Sequence, residues 1–161
     1  MLVARQEARL AEAAASLRAG PGRVTTLALD IMLREAPERI ERALGGQGAA
    51  CDLLVNSAGC GLAGPFDIQA PDDIRRLVDL NILALTALCR HFLPAMRGRR
   101  GGAILNVASM GGMVPGPNQA AYYASKAFVI SLSEALASEV AGDGVRVLAV
   151  APGPVETAFH R

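Results

Sequence analysis

Short apolar runs alternate with amphipathic stretches along the chain, and the two periods predict strands and helices in turn. Strand character belongs to Leu2-Val3-Ala4, Val24 to Leu29, Leu53-Leu54-Val55, Ala103 to Val107 and Val145 to Val150. Between them apolar positions recur at helical spacing. Gln6 to Ala19 sets Leu10, Ala13, Ala14 and Leu17 on one face, and Glu35 to Leu44 sets Ala36, Ile40 and Leu44, with Pro37 tolerable in a first turn. Asp72 to Met96 is the longest and lines up Ile74, Leu77, Val78, Leu85 and Leu88. Ala120 to Val140 places Phe128, Leu132, Leu136 and Val140 four residues apart. The strands are apolar on both faces rather than alternating, which suits a parallel sheet covered by helices on each side. Strand and helix in alternation predict an α/β, doubly wound fold.

Composition narrows this. A length of 161 residues allows one domain, 1–161, at roughly 100–200 residues per domain. Hydrophobic residues make up 52% and charged ones 19%, enough apolar surface to bury a core. Sixteen basic residues against 15 acidic leave a net charge of +1, without the basic excess that nucleic-acid binding by counterion release needs. The one basic run, Arg97-Gly98-Arg99-Arg100, reads as the cap of a solvated turn. Cys51, Cys60 and Cys89 are odd in number and lack C-x-x-C spacing, so neither a disulfide framework nor a metal site is expected. They read as small buried hydrophobes in a reducing compartment. The opening residues carry no signal-peptide core, and uncharged Gly101 to Ser125 is too rich in Gly, Pro, Asn and Gln to span a membrane. The expectation is a soluble, cytoplasmic protein.

Two segments invite chemistry. Gly59-Cys60-Gly61-Leu62-Ala63-Gly64 is a literal G-x-G-x-x-G after a strand, but Pro65-Phe66-Asp67 follows instead of an opening helix. It reads as a glycine-rich loop rather than a pyrophosphate cradle. Tyr122-Tyr123-Ala124-Ser125-Lys126 opens a helix, and the i, i+4 spacing puts Tyr122 and Lys126 on one face. A phenol with pKa near 10 needs about 4 kcal/mol to reach neutrality. An ammonium about 4 Å away supplies on the order of 4 kcal/mol at an effective dielectric near 20. Spacing alone leaves an ordinary helical Tyr/Lys pair equally open. Ser109 closes an apolar strand thirteen residues earlier, where open α/β sheets place ligands. It either holds a substrate oxygen or caps a turn. With no G-x-S-x-G around it, and His91 and His160 poorly placed, a serine hydrolase is not indicated. Asn81 lies in an apolar helical stretch and needs a partner: a water, a backbone group or the lysine. Asn56, at a strand end, poses the same question.

Together these residues resemble the short-chain dehydrogenase/reductase family over nearly the whole chain. Asn56-Ser57-Ala58-Gly59 is similar to its N-N-A-G motif, with Ser for the second Asn. Asn81, Ser109, Tyr122 and Lys126 follow the order of its catalytic tetrad, and Pro152-Gly153-Pro154-Val155-Glu156-Thr157 is similar to its P-G-x-V-x-T segment. The resemblance implies a Rossmann-like sheet and hydride transfer between NADP or NAD and a carbonyl or alcohol substrate. Tyr122 would be the general acid/base. Lys126 would depress its pKa and bind the nicotinamide ribose. Ser109 would orient the substrate oxygen, and Asn81 would hold a water leading from Lys126 to solvent. Asp30 would contact adenine, while Asn56, Ala58 and Gly59 would line the adenosine ribose side. Pro152 and Gly153 would lie beside the cofactor, with Val155 and Thr157 at the carboxamide. Arg5, just after the first strand, favours NADP through its 2′-phosphate. A homo-oligomer, dimer or tetramer, is implied as well.

The family's T-G-x-x-x-G-x-G turn and the strand before it have no counterpart ahead of Leu2, nor has its substrate-covering segment after Thr157. A domain truncated at both ends is therefore expected, with a gap of ~9.6 Å where the central strand would lie. A partner strand or a rearranged sheet is the alternative to a fragment. The rival function is a catalytically silent dinucleotide-fold module that senses cofactor or binds a protein.

Overall fold

The computed structural model describes residues 1–17 and 22–153. They form two compact units, Met1–Cys51 and Asp52–Arg161.

In the first unit, β1 (Leu2–Ala4) and β2 (Thr26–Ala28) run parallel, with Val3 opposite Leu27. Helix α1 (Glu7–Leu17) buries Leu10 and Ala14 and packs on both strands. Helix α2 (Ala36–Gly45) starts with Pro37 in its first turn, where a missing N–H costs nothing, and buries Ala36, Pro37 and Ile40.

In the second unit, β3 (Leu53–Asn56), β4 (Gly102–Val107) and β5 (Val145–Val150) form a parallel sheet in the order β3-β4-β5. Helix α3 (Pro71–Val78) carries Asp72 and Asp73 in its first turn and Arg75 and Arg76 in its last, each sign matched to the helix dipole. It runs through a π-helical turn (Asp79–Ala84) into α4 (Leu85–Gly98). The predicted single helix is thus one continuous rod interrupted by a wider turn. Pro71–Gly98 is long and apolar enough to cross a membrane, yet Leu77, Leu85, Leu88, Phe92 and Met96 are buried within the protein, as in a core helix. The run after α4 behaves as a solvated cap: Arg97 and Arg99 pair with Asp143 and Asp52, and Arg100 donates to the Gly142 carbonyl. Gly144 enters β5 at a φ of +74°, and a Cβ there would collide with the Arg100 carbonyl.

Helix α5 (Ala120–Glu139) departs from the predicted face. Its buried residues are Ser125, Lys126, Val129 and Ser133, whereas Phe128 is 37% exposed. The reason is a layer of amides on the sheet. Asn56 and Asn106 are register partners, and Asn56 Nδ2 donates to Asn106 Oδ1 at 2.9 Å. Asn106 Nδ2 donates to Ser133 Oγ at 2.9 Å, and Ser133 donates to the Val129 carbonyl. Buried amides need partners, so hydroxyls rather than methyls face the sheet. Cys89 of α4 joins this layer, 3.4 Å from Asn56 Nδ2 and 3.7 Å from Asn106 Oδ1. Burial pushes its thiol up to about 11, with the amides of Asn106 and Asn56 pulling back part-way. Cys89 alone fits the expectation of a buried cysteine; Cys51 and Cys60 are half-exposed, one in the loop before β3 and the other in the loop after it.

On the opposite face of this sheet Leu53, Val55, Leu148 and Val150 are all exposed, so within this unit the helices cover one side.

Replacing Asn106 by Ala strips Asn56 and Ser133 of a shared partner and opens a void. We expect it to lower unfolding stability in urea by about 2–3 kcal/mol, and a loss below about 1 kcal/mol would show the amide layer to be energetically idle.

Candidate active site

The carboxyl ends of β3 and β4 and the first turns of α5 bring the predicted residues of the second unit into one neighbourhood. Lys126 is 6% exposed, and its Nζ donates to the carbonyl of Val107, the last residue of β4, at 2.9 Å. The same Nζ lies 5.8 Å from the centre of the Tyr122 ring. The i, i+4 spacing therefore does place cation and phenol on one side of the helix. Burial lowers the Lys126 pKa from its ordinary 10.5, while charge on Cys60 pulls it back up.

Asn81 sits in the π-helical turn and is 2% exposed. Its Oδ1 accepts from the Cys60 N–H at 2.9 Å, and its Nδ2 donates to the Cys60 carbonyl at 2.9 Å and to Ser125 Oγ at 3.0 Å. Ser125 in turn donates to the Tyr122 carbonyl at 2.7 Å. Asn81 thus has the backbone of Cys60 and the hydroxyl of Ser125 as partners. Both amide hydrogens and one lone pair are thereby engaged, leaving one Oδ1 lone pair for anything else. A single extra residue in the helical turn aims this side chain, and such π-bulges recur at functional sites.

Gly59 explains why the loop can come so close: a Cβ there would lie 3.2 Å from Asn81 Oδ1 and 3.6 Å from Lys126 Nζ. The loop is otherwise irregular, and α3 opens only at Pro71, so the G-x-G-x-x-G match crowns no helix. Gly64 N–H donates to the Asn118 carbonyl at 2.8 Å, tying this loop to the residues before α5. Ala58 is exposed. Asn56, buried at the end of β3, engages its Nδ2 in the amide layer.

Ser109 follows β4 and opens a tight turn, Met110–Met113, with its Oγ accepting from the Gly111 N–H at 3.1 Å. Both readings of this serine stay in play: it caps the turn, and it does so at the strand end beside Lys126. Gly112 presses against the α5 backbone; a Cβ on it would lie 2.6 Å from the Lys126 carbonyl carbon. Met110 N–H donates to the Pro152 carbonyl at 3.1 Å, and Gly153 faces the Met110 sulfur, so residues 151–153 are laced to the same turn. An apolar cleft of about 680 Å³ lies between residues 112–117 and α5, lined by Met113, Val114, Pro115, Pro117, Tyr123 and Ala127. Val155 and Thr157 lie outside the described residues.

In the first unit, Arg5 and Asp30 follow the carboxyl ends of neighbouring parallel strands, their charges 4.0 Å apart. Asp30 also accepts from the Met32 N–H at 3.0 Å.

The family model for short chain dehydrogenases matches residues 1–161. The chain belongs to the short-chain dehydrogenase/reductase family. A short chain dehydrogenase of Pseudocercospora fijiensis is 35% identical over 158 residues, which cover 96% of this chain and 51% of that protein. The structure of L-sorbose reductase from Gluconobacter frateurii, complexed with NADPH and L-sorbose, is 34% identical with a TM-score of 0.89, covering 98% of this chain and 60% of that one. NAD+-bound xylitol dehydrogenase is 29% identical with a TM-score of 0.90, covering 99% and 62%. The chain thus spans about half the length of the curated relative and about three fifths of the solved ones. Its parallel, Rossmann-like α/β architecture is that of the family.

The sequence singles out Asn81, Ser109, Tyr122 and Lys126; the structure brings Ser125 and Gly112 into the same neighbourhood. The spacing of Ser125 one residue before the lysine held no chemical signal; only the amide of Asn81 gives it one.

The depressed Lys126 pKa makes a signed prediction. Between that value and 10.5 the unfolded chain holds a proton on Lys126 that the folded chain lacks, so stability rises with pH across this window. Urea midpoints of the parent, measured relative to Lys126→Met, should climb as pH rises toward 10; a difference that is flat or falls contradicts a lysine whose pKa burial lowers.

Proposed function

We propose that this chain carries the proton-transfer half of a nicotinamide-dependent oxidoreductase acting on a carbonyl/alcohol pair. The observation that carries the reading is the buried Lys126 ammonium beside the Tyr122 ring at the strand ends. Nζ has three donors and spends one on Val107, which fits the hydroxyls of a nucleotide ribose. Arg5, half-exposed and only loosely paired with Asp30, fits a 2′-phosphate, so NADP is preferred over NAD. The dinucleotide, when bound, supplies or takes up the hydride.

This chain's residues manage the proton. Tyr122 gives its hydroxyl proton to the carbonyl oxygen as that oxygen gains negative charge, and recovers it from the alcohol in reverse. Lys126 keeps positive charge beside the phenol in a site shielded from water. Ser109 donates to the same substrate oxygen, its Oγ held in place by the Gly111 amide. Asn81 fixes the loop at Cys60 and, through Ser125, the first turn of α5. In the second unit Asn56, Ala58, Gly59, Pro152 and Gly153 line the cofactor, as Val155 and Thr157 do in the family pattern; in the first, Asp30 meets adenine by that same pattern. We place the protein in the cytoplasm as a homo-oligomer, with the exposed Phe128 flank of α5 as the contact between copies.

Tyr122→Phe should remove at least 99% of ketone turnover while leaving NADPH affinity within about twofold, since it deletes one proton and no ribose contact. Loss of turnover in Tyr123→Phe instead would assign the proton to the wrong ring. Arg5→Ala should weaken NADPH binding about tenfold, equivalent to one charge-assisted contact, with NADH unaffected. Absence of NADPH binding at millimolar concentration would support an inert fragment.

A further inference from the structure

Tyr123 is adjacent to the proposed proton carrier and takes no part in the proton transfer. Its ring occupies a hollow that only glycines leave open. A Cβ on Gly116 would collide with the ring at Cγ, and one on Gly111 would lie 3.2 Å from Cε2 and Cζ. The two glycines bracket the Met110–Pro117 segment, so one side chain of α5 holds both ends of it. Backbone bonds complete the frame: Tyr123 N–H donates to the Gln119 carbonyl and Gln119 N–H to the Gly116 carbonyl, each at 3.0 Å. Between the two glycines, Gly112 is pressed onto the Lys126–Ala127 backbone, leaving no slack on that side either.

The consequence reaches the reacting atoms through Gly111. The residue that touches the Tyr123 ring is the residue whose N–H holds Ser109 Oγ at 3.1 Å. Moving the ring frees Gly111, and freeing Gly111 releases the serine hydroxyl. The Tyr122 and Tyr123 rings meet edge to face with centres 6.0 Å apart, so the same ring also limits how Tyr122 swings.

We propose that Tyr123 is a positioning residue: its ring, wedged between Gly111 and Gly116, fixes the Met110–Pro117 segment on α5 and thereby sets the Ser109 hydroxyl against Tyr122. The wedge stands on packing alone, whereas its effect on turnover rests on the proposed proton transfer. The work is done by the ring and not by its hydroxyl.

Amide hydrogen exchange followed by mass spectrometry on the free chain tests this directly. In Tyr123→Ala, peptides covering 109–117 should exchange at least tenfold faster, with β4 and β5 peptides unchanged, while Tyr123→Phe matches the parent. Should Tyr123→Ala unfold, Tyr123→Leu and Gly116→Ala take its place, each expected to loosen the same peptides alone. Parent-like exchange of 109–117 overturns the proposal, and so does unfolding by every variant, which would make Tyr123 a general core residue. With NADPH and a ketone, Tyr123→Ala should lose at least tenfold in kcat at unchanged NADPH affinity, and Phe should restore it. Tyr122→Phe should abolish turnover with 109–117 exchange intact. A loosened segment together with an active Tyr122→Phe would leave the wedge standing and remove the proton-transfer reading.

Discussion

A buried positive charge sets the terms for the second unit. An ammonium 6% exposed is costly to keep away from water, and it persists only where oxygen atoms and neighbouring charge replace the lost hydration. Here the replacement includes the carbonyl of Val107, the last residue of β4. The first turns of α5 must therefore stand against the end of β4, and the loop after β3 must approach without a side chain at Gly59. Strand end, glycine and helix start are three separate features of the sequence. The lysine makes each a condition of the others.

Polar atoms, rather than the apolar stripe, specify how the helices lie on the sheet. Asn81 ties α5 to the loop at Cys60 through Ser125, and Asn106 ties α5 to β4 through Ser133. The two serines are eight residues apart and so share a face of α5. An unpartnered amide in that environment costs about 1–3 kcal/mol, which penalises any rotation of the helix that would break a bond. Apolar contacts supply cohesion without such direction, because a leucine is satisfied by many neighbours and an amide by few.

That contrast explains what could be read in advance. Strand positions and helix extents were legible from periodicity, since β1, β3, β4 and β5 and the helices between them follow the apolar runs. The orientation of α5 was not: Phe128, Leu132 and Leu136 mark a face by hydropathy, whereas the buried face follows Ser125, Val129 and Ser133. Hydropathy counts a serine as surface, and only knowledge of a facing amide reverses that. The spacing of Tyr122 and Lys126 was legible because helical geometry alone determines it. The π-helical turn at Asp79–Ala84 was not, because the bond it serves joins Asn81 to a backbone twenty-one residues earlier, which no local pattern encodes.

Adjacent tyrosines on one helix show how a single element can serve two ends. At about 100° per residue, Tyr122 and Lys126 lie only about 40° apart, while Tyr123 points about 100° away. The first face meets the strand ends and the charge; the second meets the glycine hollow of the segment carrying Ser109. Both faces begin within one turn of the helix start, so any shift of α5 along its axis would displace phenol, ammonium and loop together. Their mutual geometry is then carried by the rigidity of a twenty-residue helix instead of by contacts among the polar atoms themselves. A site assembled this way tolerates change in the loop so long as the hollow keeps its glycines.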